Sequence, residues 1–204
     1  MTDKLPINAF DFILLGVLVF GVFRGRKHGM SEELLMVLKW ITILVACALL
    51  YQPIGEFFSS TTSVFDMLSC YLMAYATVAL IVLGLFALMK KLLGGKLIGS
   101  DIFGAAEYYL GMAAGLVRFS AISLVALALL NARYYSPDQV KAMENFQNDV
   151  YGSNFFPTLY TVQAFALEKS FTGSWIKGNL AFLLIKPTAP QDKTIKQKDY
   201  ELPK

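Results

Sequence analysis

Four charged residues sit inside or at the edge of long apolar stretches: Asp11, Lys39, Glu107 and Arg118. A charge in a bilayer-sized apolar run is costly, and it marks an ion or substrate path, a proton relay or a structural pair. At the centre of a spanning helix an arginine costs about 2.5–3.5 kcal/mol on the insertion scale. Arg118 lies near the middle of its run, so it needs protein, water or a carboxylate beside it. Asp11 is its expected partner; Glu107 and Glu33 are the alternatives, reached if the guanidinium snorkels. The functional reading is a conduction or substrate path lined by Asp11 and Arg118. The simpler reading is an arginine that snorkels inward and fixes helix position. Snorkelling also explains Lys39, near the end of its run.

Other chemistry is scarce. There is one histidine, His28, and there are two cysteines, Cys47 and Cys70. A zinc site of ordinary His/Cys composition needs three or four such ligands. HExxH, GxSxG, P-loop and GxGxxG patterns are absent, so no catalytic residue, metal site or cofactor is expected. The two cysteines could pair in an oxidising compartment, but two separate buried thiols are the preferred reading.

Glycines supply the other pattern. Gly21, Gly25 and Gly29 repeat every four residues, as do Gly111 and Gly115. That spacing makes a flat strip on one helix face and lets another helix approach closely. Packing within one bundle is preferred over contacts between copies. Gly25 and Gly29 could instead ease a turn.

These residues need helices to hold them. Of 204 residues, 56% are hydrophobic and 16% charged, against about 25% charged in an average soluble domain. The apolar residues are bunched, which excludes disorder and argues against a soluble domain. About 20 residues cross a core of about 30 Å, and four segments qualify: about 7–23, 34–51, 69–89 and 110–130. The first does not read as a cleaved signal peptide, because its basic cluster follows the apolar run and no small-residue cleavage site appears. Ser31-Glu32-Glu33 is a good start for the second helix, a serine cap followed by acids near the positive end of the helix dipole.

The loops set orientation. Arg24, Arg26 and Lys27 follow the first segment, and Lys90, Lys91 and Lys96 follow the third. The intervening stretch, about 52–68, has Glu56 and Asp66 but no Lys or Arg. The positive-inside rule puts both basic loops in the cytoplasm and both termini outside. These cations are topology and headgroup signals rather than a nucleic-acid footprint. Beyond the fourth segment, residues 131–185 read as an extramembrane region with one or two amphipathic segments, either on the membrane or bundle end or folded on themselves. Ser136-Pro137-Asp138 opens a helix there, and 186–204 reads as a flexible tail. The expected fold class is therefore all-α: a polytopic membrane protein with a four-helix transmembrane domain over 1–130.

The order of these residues resembles the colicin V production protein (CvpA) family. The resemblance rests on Asp11, Gly21, Arg24-Gly25, then Gly29-Met30-Ser31-Glu32-Glu33-Leu34 and Trp40. It resumes at Glu107-Tyr108-Tyr109-Leu110-Gly111-x-x-x-Gly115-x-x-Arg118. It covers about 7–130. Tyr108 stands where the family often has arginine, Glu107 where it often has aspartate, and Phe119 replaces a glycine. The resemblance implies a bacterial inner-membrane protein without known catalysis, associated with bacteriocin production or export and with envelope integrity. The bilayer and a homo-oligomer or membrane-protein partners are the expected associations. The alternative is a small transporter or channel subunit.

Overall fold

A computed structural model describes residues 7–62, 64–93, 104–153 and 155–190. Lys96 and residues 191–204 of the expected tail lie outside the described residues. The first helix, α1, spans Ala9–Thr61. It starts at Asn8, whose side chain accepts from the Phe10 amide at 2.8 Å while Asp11 accepts from the Asn8 amide at 2.9 Å. This reciprocal cap satisfies amides that no helical carbonyl can reach. A straight helix of 53 residues would be about 80 Å long, far more than a bilayer core. The helix is broken at one residue, Gly29, with φ 73° and ψ 173°, a region essentially restricted to glycine.

The contacts on either side of Gly29 show that the chain turns back there. Before the break, Gly21, Gly25 and Gly29 face Gly115, Gly111 and Glu107 in that order, so the first part of α1 runs antiparallel to α3 (Glu107–Asn131). After it, Ser31 meets Glu107, Glu33 meets Arg118, and Tyr51 and Asn131 both reach residues 185–186. The second part thus runs alongside α3 in the same direction. The expected basic loop between separate helices is corrected. Arg24, Arg26 and Lys27 are helical, because lysine and arginine sustain a helix well, and the connection shrinks to Gly29.

The second helix, α2 (Met67–Leu93), returns against the second part of α1. Tyr71 stacks edge-on with Tyr51 at 5.5 Å, and Cys47 lies 3.6 Å from the Tyr75 carbonyl. The core is built from Ile43, Cys47, Tyr51, Tyr75, Val78, Leu127 and Ala128. Both cysteines are free and buried.

Among the described residues, three helices, α1, α2 and α3, are long and apolar enough to cross a membrane. Their outer faces carry exposed Phe12, Ile13, Phe20, Leu49, Leu80 and Leu88, with Leu49 70% exposed. Such a run of exposed apolar side chains suits contact with lipid tails.

The remaining elements gather at the end of the bundle where Asn8 and Asn131 lie. Helix α4 (Pro137–Tyr151) has a Ser136–Gln139 capping box and Pro137 in its first turn, and it buries no residue. Pro157 disfavours helix at Phe156, and Thr158 caps α5 (Leu159–Leu167). Phe155 and Phe156 therefore precede the helix instead of joining it. Ser170 caps α6 (Phe171–Asn179), and a single turn of tighter helix follows at Ala181–Leu183. Leu167, Ile176, Leu184 and Ile185 join the same core as Tyr51 and Ala128, so this region caps the bundle. Among the described residues the only β contact is an isolated bridge between Arg133 and Thr188.

Candidate functional site

The polar centre of the bundle lies around the Gly29 break, and the glycine strips create it. A Cβ on Gly25 would strike the Gly111 carbonyl, one on Gly115 would strike the Gly21 carbonyl, and one on Gly111 would come within 2.5 Å of the Gly25 carbonyl. The backbones of α1 and α3 thus touch, with no room for a side chain between them. At the end of this seam Glu107 fills the space beside Gly29, 2.7 Å from where a Cβ would sit.

Glu107 performs a specific task there. Its Oε1 accepts from the Ser31 amide at 2.6 Å and its Oε2 accepts from the Ser31 hydroxyl at 3.1 Å. Ser31 opens the second part of α1, where the first amides lack intrahelical acceptors. A carboxylate from another helix therefore caps this start and meets the positive end of its dipole.

Arg118 pairs with Glu33. Its Nη1 donates to both carboxylate oxygens, at 3.0 and 2.9 Å. The Glu33 side chain is 1% exposed and that of Arg118 13%. The guanidinium also lies 5.4 Å over the Phe119 ring, and its Nε is buried without a hydrogen-bond partner among the described residues. His28 Nδ1 is 3.9 Å from Glu33 and 2.8 Å from the Arg24 carbonyl, so Nδ1–H donates to Arg24.

The expected Asp11–Arg118 pair is corrected. Asp11 sits at the other end of the bundle, where its carboxylate accepts from the amides of Thr172 at 2.9 Å and Phe171 at 3.3 Å. It caps α6 as well as α1. Arg118 instead leans toward the start of α3, as helical side chains do, and the reversal at Gly29 brings Glu33 to meet it.

The other expected residues separate. Lys39 is half-buried, with its ammonium 5.9 Å from the Trp40 ring. Arg24, Arg26 and Lys27 are exposed on the last turn before Gly29, and Lys90 and Lys91 are exposed on the last turn of α2. No group of three or more His, Cys, Asp or Glu that could hold a metal occurs among the described residues. The sequence reading placed Glu33 only as an alternative partner beside a helix cap. The signal for it was the Ser31-Glu32-Glu33 run itself, three polar residues opening an apolar helix.

Apolar helices around a buried ion pair and a glycine seam define an α-helical membrane protein. A family model described as colicin V production protein matches residues 10–167. The chain belongs to that family. The match runs past residue 130, where the resemblance ended, and takes in α4 and α5. No curated protein matches the chain, and no solved structure does.

Proposed function

We propose that this protein crosses the bacterial inner membrane four times, with both termini outside the cytoplasm. It works there without catalysis, in bacteriocin production or secretion or in envelope maintenance, as a homo-oligomer or with membrane-protein partners. The family match over residues 10–167 carries this reading. The reversal at Gly29 supports four crossings, since it makes two antiparallel bilayer-length pieces of α1. The site supports a structural role: Arg118, Glu107 and Asp11 each bond to a group of this same chain.

The test uses cells from which the chromosomal copy has been removed. Reduced bacteriocin release, or greater sensitivity to detergent, each restored by the wild-type chain, is the expected result. Unchanged release and unchanged sensitivity together overturn the proposal. A second arm separates a transporter: the purified chain in liposomes should conduct no ions. Flux that Arg118→Leu abolishes in a still-folded protein would favour a transport path.

A further inference from the structure

A cleft of about 630 Å³ lies between the last turns of the first part of α1 and the first turns of α3, lined by Phe23, Arg26, Lys27, Tyr108, Tyr109 and Met112. From these residues we infer a binding site for one anionic phospholipid of the bilayer, its phosphate at Arg26 and Lys27 and an acyl chain along Phe23 and Met112.

The cleft is layered. Arg26 and Lys27 are three and four residues beyond Phe23, and Met112 is four and three residues beyond Tyr108 and Tyr109. Each helix thus puts a polar or amphipathic layer at its end and an apolar layer one turn, about 5.4 Å, deeper on the same face. That order matches a lipid entering from the side, headgroup first and tail below. Tyr108 and Tyr109 are 60% and 73% exposed, and tyrosines favour this interfacial level, where ring and hydroxyl meet different surroundings.

Charge commits the site to an anionic lipid. Neither Arg26 nor Lys27 has a carboxylate partner among the described residues. Glu107, next to Tyr108 of the cleft, is occupied by Ser31, and Glu33 by Arg118. The glycine seam fixes the spacing of the two walls, because Gly25 and Gly111 hold the backbones in contact. The inference does not depend on a role in secretion; it requires only that these helix ends lie at a bilayer surface.

The experiment is native mass spectrometry of the full chain, released from nanodiscs of equal phosphatidylglycerol and phosphatidylcholine. The wild type should retain one phosphatidylglycerol in clear preference to phosphatidylcholine. A hydrogen bond to a charged group such as a phosphate strengthens binding by on the order of tenfold, so Arg26→Gln with Lys27→Gln should lower that preference at least about tenfold. Both side chains are exposed, so the fold should survive, as unchanged helical circular dichroism would show. Lys90→Gln with Lys91→Gln removes the same charge at the same end of the bundle but outside the cleft, and should leave the preference intact. Equal losses in the two double variants would mean only diffuse surface attraction and would overturn the site. Retention of phosphatidylglycerol by the Arg26/Lys27 variant at the wild-type level would overturn it too.

Discussion

Arg118 and Glu33 are a pair whose members depend on each other for burial. Removing one partner of a buried ion pair leaves the other charge uncompensated, at a cost of about 3–5 kcal/mol. Arg118→Leu should therefore destabilise the protein by about that much, read as a lowered midpoint of unfolding in mild detergent. Glu33→Gln combined with Arg118→Met should recover most of the loss, because replacing both partners removes the stranded charge. A double variant no more stable than Arg118→Leu would contradict the pairing. Asp11 offers a separate check 160 residues away in sequence from the amide it accepts at Phe171. Asp11→Ala should free the Phe171 and Thr172 amides, and hydrogen exchange there should quicken while exchange at Gly111 stays slow.

The helices turn small residues into strict constraints. Gly29 combines a backbone conformation that side chains rarely adopt with Glu107 at its side. Gly29→Ala should cost about 1–3 kcal/mol from the backbone alone, and the displaced Glu107 would add the loss of the cap on Ser31. Gly25→Ala should also destabilise, by driving its methyl into the Gly111 carbonyl. Gly16 and Gly84 are the contrast, since a Cβ at either meets nothing within 4 Å. Alanine at those positions should be neutral or stabilising by up to about 1 kcal/mol, from the lower entropy cost of ordering alanine in a helix. Thermal unfolding of the four variants in one detergent would rank them. Destabilisation at Gly16 equal to that at Gly25 would argue for contacts between copies, which the first part of α1 would then share.

Much of the molecule is legible in its residue order. Helical apolar runs, the glycine strips at four-residue spacing and the Ser136-Pro137 start all follow from local rules, and local rules work where one helix decides its own state. Two things escaped them. The connection between the first two segments reads as a loop because Arg24, Arg26 and Lys27 are charged, although none of these three breaks a helix; the backbone at Gly29 does. Residue order favours Asp11 as the partner of Arg118 and leaves Glu33 as an alternative, because which carboxylate the guanidinium reaches depends on how the helices lie after the reversal. Orientation remains a property of the whole molecule, and it is testable with cysteines placed on a background lacking Cys47 and Cys70. Lys141→Cys, on α4, should react with an impermeant thiol reagent in intact cells, and Lys27→Cys only after permeabilisation. The opposite pattern would invert the proposed topology.

The distance in sequence between Glu33 and Arg118, 85 residues, bears on how the protein is made. Its ribosome delivers the carboxylate and one glycine face first, then all of α2, and only afterwards the helix that neutralises the one and covers the other. Until α3 arrives, the nascent hairpin holds an uncompensated acid and a bare strip of backbone in the lipid. A chain stopped after Leu93 should therefore be a substrate for membrane quality control instead of a stable fragment. Pulse-chase of that truncation beside the full chain would show a shortened half-life, and introducing Glu33→Gln into the fragment should lengthen it.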